Sequence, residues 1–175
     1  VTPYNNCDFL PEDIVVLKEL DLLCVKDLIT LKRFDGEFWE TDHRIGPITQ
    51  SHEKSQSLYV NTLNLHLRAM EGNETYLSSE KGEIGGVNHF ALWPLAQAAQ
   101  SCFGSEDWPF NITAPQSWIE FEVEDIAVAS EQMISKGYYL LVNNRVEPWG
   151  QSVTRFLSPE GILIGLTVTP WLRPE

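Results

Sequence analysis

Basic residues are scarce in this sequence: 12 Lys and Arg stand against 25 Asp and Glu, for a formal charge of −13 at neutral pH. The imbalance disfavours nucleic acid and anionic lipid as partners, because both are gripped by clustered Lys and Arg. It suits a cationic ligand, or a protein that acidity merely keeps soluble. Cysteine is scarce too. Cys7, Cys24 and Cys102 form no CxxC pair and leave one over after any disulfide, so reduced thiols in a cytoplasmic protein are expected. No apolar run approaches the ~20 residues that span a bilayer. The opening Val1-Thr2-Pro3-Tyr4 has neither an initiator Met nor a basic segment before a hydrophobic one, and reads as a fragment end rather than a signal peptide. No HxxxH or HxH spacing links His43, His52, His66 and His89. No Lys-Ser/Thr follows the glycines at Gly82, Gly85 and Gly86, so they form no phosphate loop. The sequons at Asn73 and Asn111 are short enough to arise by chance.

What remains is an ordinary globular composition, 43% hydrophobic and 21% charged, over a length that suits one domain or two small repeats. The pattern is clearest near the end. Trp118 to Asp125 alternates bulky apolar with acidic residues, which is a strand with one face in a core. Ile126 to Lys136 reads as a helix, with Ile126, Ala129, Met133 and Ile134 on one side and Gly137 as its stop. Tyr138 to Val142 reads as a strand, closed by a turn at Asn143-Asn144 and a break at Pro148-Trp149-Gly150. Gln151 to Leu157, a tight turn at Ser158 to Gly161, and Ile162 to Thr169 complete the order strand, helix, strand, strand, strand.

The first half repeats that order less plainly. Arg44 to Gln50 is a strand, and Glu53 to Leu63 a helix with Ser51 as N-cap. Leu65 to Ala69, Glu74 to Ser79 and Val87 to Leu95 follow as strands, with Ala98 to Phe103 as a short additional one. Trp108 to Pro115 is the link between halves. Residues 8–42 carry helical spacing at Ile14, Val15, Leu17 and Leu20 and again at Leu28, Leu31 and Phe34. A rival register would begin the first strand and helix between Leu22 and Trp39.

Three pieces of the second half then bear a resemblance. They are the strand Ile119 to Asp125 running into a helix that ends at Lys136-Gly137, the segment Glu147-Pro148-Trp149-Gly150, and Phe156 to Ile164 around the Ser158-Pro159-Glu160-Gly161 turn. Their order and spacing resemble the vicinal oxygen chelate superfamily of glyoxalase, bleomycin-resistance and extradiol dioxygenase proteins. In the first half, Glu53-Lys54-Ser55, Tyr59 and Leu63-Asn64-Leu65 resemble that family's first helix. The resemblance implies an α+β fold of two βαβββ modules whose sheets curl into a cup-shaped mixed sheet with helices on the convex side. The expected divisions are an N-terminal helical extension (1–42), a first module (43–104), a linker (105–116) and a second module (117–175). Alternation puts Trp118, Glu120, Glu122, Leu163, Gly165 and Thr167 toward the cup. Ile119, Phe121, Val123, Ile164, Leu166 and Val168 go under the helix. A dimer is implied by analogy alone.

Metal-dependent members of that family hold a divalent ion with His and Glu from four strands, because imidazole and carboxylate offer lone pairs at fixed distance. Carried over, those positions fall on Arg44 (with His43 beside it), Trp118 and Gly165, the fourth lying near Ser101 to Phe103. Side chains of Arg, Trp and Gly do not ligate, so no metal and no cofactor are expected. The candidate ligand-binding residues are Trp93, Trp118, Glu120, Glu122, Trp149, His89 and Arg155. Tryptophans with acidic groups could stack a flat or cationic molecule, or simply fill the space between modules. Cys102 reads as a buried apolar residue rather than a nucleophile. The expectation is a metal-free protein binding a small organic, cationic ligand in the cup. The alternatives are a metal-dependent lyase, isomerase or dioxygenase with a different first-half register, and an interaction domain using the N-terminal arm.

Overall fold

The chain divides into two units, Val1–Thr30 and Leu31–Glu175. The structure, a computed structural model, describes residues 44–172, all within the second unit. The helices expected in residues 8–42, the rival register that begins at Leu22, and His43 lie outside the described residues.

Eight strands form one mixed sheet. The first half supplies β1 (Arg44–Thr49), β2 (Arg68–Met70), β3 (Asn73–Ser78) and β4 (His89–Pro94). The second supplies β5 (Ser117–Glu122), β6 (Leu140–Val146), β7 (Ser152–Leu157) and β8 (Leu163–Val168). Their spatial order is β2-β3-β4-β1-β5-β8-β7-β6. In each half the first strand runs parallel to the fourth, and the others follow as antiparallel neighbours. The halves join through the antiparallel pair β1–β5. The repeat that residue identities do not reveal is thus present in the strand order.

Helix α1 (His52–Gln56) starts where expected, with the Ser51 hydroxyl accepting from the Lys54 N–H at 3.5 Å. It continues as a wider π-turn over Ser57–Thr62, where the Thr62 hydroxyl donates to the Ser57 carbonyl at 2.9 Å. Helix α3 (Ile126–Ser135) is capped by Asp125, whose carboxylate accepts from the N–H groups of Ala127 and Val128. Its Ser130 hydroxyl meets that of Thr154 on β7 at 2.6 Å. The face of the sheet bearing Thr154 and its partner Leu166 therefore lies under α3, as the alternation required.

Three assignments differ from the sequence expectation. The strand expected over Leu65 to Ala69 begins only at Arg68, as β2. Residues Ala98 to Phe103 are not a strand but part of helix α2 (Leu95–Phe103). Leu95, Ala98, Ala99 and Cys102 follow the 3.6-residue period, and Gly104 ends the helix at φ 74°, a left-handed value open to glycine. The Asn143-Asn144 pair does not end β6. Asn144 takes φ 43° inside the strand, and the pairing with β7 shifts register around it.

Helix α2 decides what the other face of the sheet can do. Ala98 and Cys102 pack with Ile48, Ala91, Trp118, Val142, Val153 and Leu163, strand residues from both halves. Small side chains on α2 let it sit close, so α2 covers part of this inner face. The sheet is also tight at its centre. A Cβ on Gly46 would collide with the Ala91 carbonyl, which is backbone and cannot turn aside. Gly46→Ala is expected to cost about 2–3 kcal/mol of unfolding free energy, read as a lower urea midpoint at unchanged slope.

Candidate functional site

The register fixes which side chains share the inner face. Arg44 pairs with Glu120 across β1–β5 and with His89 across β1–β4. Glu120 pairs with Gly165, and Gly165 with Arg155. Partners in register point to the same side, so strand geometry alone gathers two arginines, a glutamate and a histidine into one row. A Cβ at Gly165 would stand 2.6 Å from Cγ of Glu120. The missing side chain is what lets Glu120 lie across β8 and reach Arg155.

Arg155 is the centre of the row, 2% exposed. Its Nη1 donates to Oε1 of Glu147 at 2.6 Å and to the Ser101 hydroxyl of α2 at 2.7 Å, and its Nη2 lies 3.4 Å from Oε1 of Glu120. Glu147 also accepts from Nη2 of Arg145 at 2.9 Å and from the Ser101 hydroxyl at 3.0 Å. Arg145 donates in addition to the Ser101 carbonyl. Burial would raise the Glu147 carboxyl, but the hydrogen bonds and charges of Arg155 and Arg145 outweigh it and hold the group below its ordinary range. Burial likewise opposes the charge on Arg155, and Glu120 and Glu147 more than restore it.

Toward the other end Glu120 meets Arg44 at 3.6 Å. The Arg44 Nη2 donates to the Thr169 hydroxyl at 3.3 Å, which also accepts from Gln151, whose side chain in turn accepts from the Trp149 indole. Glu122 accepts from the Thr169 N–H and the Thr167 hydroxyl. His89 shares a 2.9 Å hydrogen bond with the Tyr76 hydroxyl. Burial first, and the Arg44 charge second, lower His89 to about 4, so its ring is neutral at pH 7. Burial also holds the Tyr76 phenol above its usual value and pushes the Cys102 thiol up to about 11, which keeps it protonated at neutral pH.

Of the seven candidate residues, six converge. His89, Trp93, Trp118, Glu120 and Arg155 interlock: Trp93 packs edge-on against Trp118 at 5.5 Å and lies 5.3 Å from the Arg155 guanidinium carbon, and His89 is 6.3 Å from Trp118. Glu122 follows two residues along β5. Trp149 is the outlier, 56% exposed in the β6–β7 turn and joined to the row only through Gln151. The sequence does not reveal Arg44, Tyr76, Glu147, Arg145 and Ser101 as members of this network. The strand reading of Ala98 to Phe103 hides Ser101.

The fourth metal position also moves. The β1–β4 register sets Ala91 beside Gly46 as Gly165 is set beside Glu120, so the equivalent place is Ala91 on β4, not Ser101 to Phe103. Arg44, Ala91, Trp118 and Gly165 offer a divalent ion a cation, a methyl, an indole and nothing. These residues do not fit a metal, and no group of three His, Cys, Asp or Glu among the described residues is arranged to hold one. Two hollows lie elsewhere. One of about 920 Å³ includes Gln50, His52, Trp108 and Phe110, and one of about 330 Å³ includes Tyr139 and Leu141; neither touches a candidate residue. Among the described residues no helix is long and apolar enough to cross a membrane.

Two tests follow from the network. Arg155→Met leaves Glu120 and Glu147 buried without their shared cation, and should cost about 3–5 kcal/mol in chemical denaturation. His89 is protonated in the unfolded chain below about pH 6.5 but in the folded chain only near pH 4. Its contribution is therefore complete above pH 6.5 and lost as pH falls toward 4, on the order of 2 kcal/mol. A difference curve of wild type against His89→Gln over that range should show a slope that vanishes at higher pH.

No protein-family model matches the chain, and no curated protein matches it significantly. Several solved structures similar to it are members of the glyoxalase/bleomycin resistance/dioxygenase superfamily. One, from Vibrio splendidus, is 14% identical, with 74% of this chain and 99% of that one covered and a TM-score of 0.49. A structure from Legionella pneumophila described as an NAD-dependent benzaldehyde dehydrogenase is 12% identical, with 72% and 97% covered and a TM-score of 0.48. Methylmalonyl-CoA epimerase from Streptomyces coelicolor is 19% identical, with 73% and 95% covered and a TM-score of 0.42. At these identities and scores the likenesses establish nothing about chemistry, which is read from this chain's own residues.

Proposed function

We propose that this chain is a metal-independent binding module that holds a small organic molecule on the inner face of the sheet, beside Arg44. One observation carries the reading. The Trp118 indole N–H and the Arg155 Nε–H are buried with no acceptor, in side chains only 3% and 2% exposed. Buried donors are paired almost without exception, because an unmade hydrogen bond costs about 1–3 kcal/mol. Two such donors on one face, both around Trp93, suit a surface completed by a guest. The side chains at the four metal positions favour this reading over a metal-dependent lyase, isomerase or dioxygenase.

The mouth of the site is Arg44, whose side chain is 17% exposed. His89 and Tyr76 flank it on β4 and β3, and Trp149 lies beyond Thr169 and Gln151. A flat guest there can stack on indole while its polar end meets the guanidinium. A small-molecule screen followed by thermal shift and tryptophan fluorescence is expected to give ligands that raise Tm and quench emission. Trp118→Phe, which keeps an aromatic ring and loses the donor, should weaken those ligands by about fivefold to tenfold, the value of one hydrogen bond. A screen with no compound that shifts Tm would sink the proposal.

A further inference from the structure

We infer that the guest presents a hydrogen-bond-accepting oxygen, a carboxylate or carbonyl, to the Arg44 guanidinium, and is not an amine. The inference rests on the small-molecule reading and reverses the charge expected from composition. The net charge of −13 describes the chain as a whole, whereas a ligand meets only the groups left free at its site.

Among the described residues, the carboxylates of the inner face already have partners. Glu120 is shared between Arg44 and Arg155, Glu147 between Arg155, Arg145 and Ser101, and Glu122 receives the Thr169 N–H and the Thr167 hydroxyl. An amine would have to share Glu120 or Glu147 with a guanidinium already beside it, and Glu122 with the Thr169 N–H and the Thr167 hydroxyl. His89 and Tyr76 satisfy one another and carry no negative charge at neutral pH. Donors, by contrast, are in surplus. Both of the buried unpaired side-chain atoms among the described residues are N–H groups, those of Trp118 and Arg155.

Arg44 adds the accessible share of that surplus. A guanidinium carries five N–H bonds in a planar fork. Its contacts are a 3.3 Å hydrogen bond to Thr169 and a 3.6 Å approach to Glu120, both longer than a strong charged pair. One edge of the fork is thus weakly held at the rim, and a planar pair of oxygens matches it.

Three probes of one shape separate the possibilities: benzoate, benzamide and benzylamine, titrated into the full chain by tryptophan fluorescence and calorimetry. Benzoate and benzamide are expected to bind saturably, and benzylamine at least about tenfold more weakly, the difference between a charge-assisted hydrogen bond and an unmatched donor. Arg44→Met should weaken benzoate by about tenfold and benzamide less, with Arg44→Lys intermediate because it keeps charge without the fork. Benzylamine binding as tightly as benzoate would overturn the acceptor class while leaving the small-molecule reading intact. Benzoate binding unchanged in both Arg44→Met and Arg44→Lys would remove Arg44 from the site. Failure of all three probes, with ligands of other chemistry found in the broader screen, would overturn the class alone; failure of every compound would remove both readings.

Discussion

The buried guanidinium of Arg155 sets the conditions for the rest of the inner face. A cation taken out of water there is tolerable only because Glu120 and Glu147 approach it from two strands and Ser101 from a helix. That requirement explains several otherwise separate features. Gly165 carries no side chain, so Glu120 can cross β8. Helix α2 is positioned by a serine as well as by its alanines. Arg145 and Arg44 sit at the two ends of the row, each holding one of the carboxylates that Arg155 shares.

The arrangement also bears on chemistry. Where a divalent ion would need converging carboxylates and imidazoles with free lone pairs, this face offers carboxylates already held by arginines and one histidine hydrogen-bonded to a tyrosine. The cation is built into the chain. Among the described residues, the N–H groups of Trp118 and Arg155 are the buried side-chain donors left without an acceptor.

The sheet was legible because period-two patterning in a half-buried strand is strong. Trp118 to Glu122 alternates bulky apolar with acidic residues, Leu163 to Val168 is an apolar run between a tight turn and the chain's end segment, and both are strands. Helix α3 was legible from Asp125, its apolar spacing and Gly137. Helix α2 was not, since Ala98 to Phe103 is a short apolar stretch that suits either element until its partners are known. One misread segment then hid Ser101, and with it the helix that packs on part of the inner face.

By itself the sequence determined the local order of elements in the second half and the face on which Trp118, Glu120 and Glu122 lie. These follow from side-chain chemistry and short-range periodicity, which need no knowledge of distant residues. Tertiary structure alone decided that Arg44 joins Glu120, that Glu120 and Glu147 share Arg155, and that two N–H groups are left without acceptors. Glu147 and Ser101 are 46 residues apart, and Arg44 and Thr169 are 125 apart. Pairings over such separations are set by strand register and helix placement, so they appear only when the sheet has closed around them.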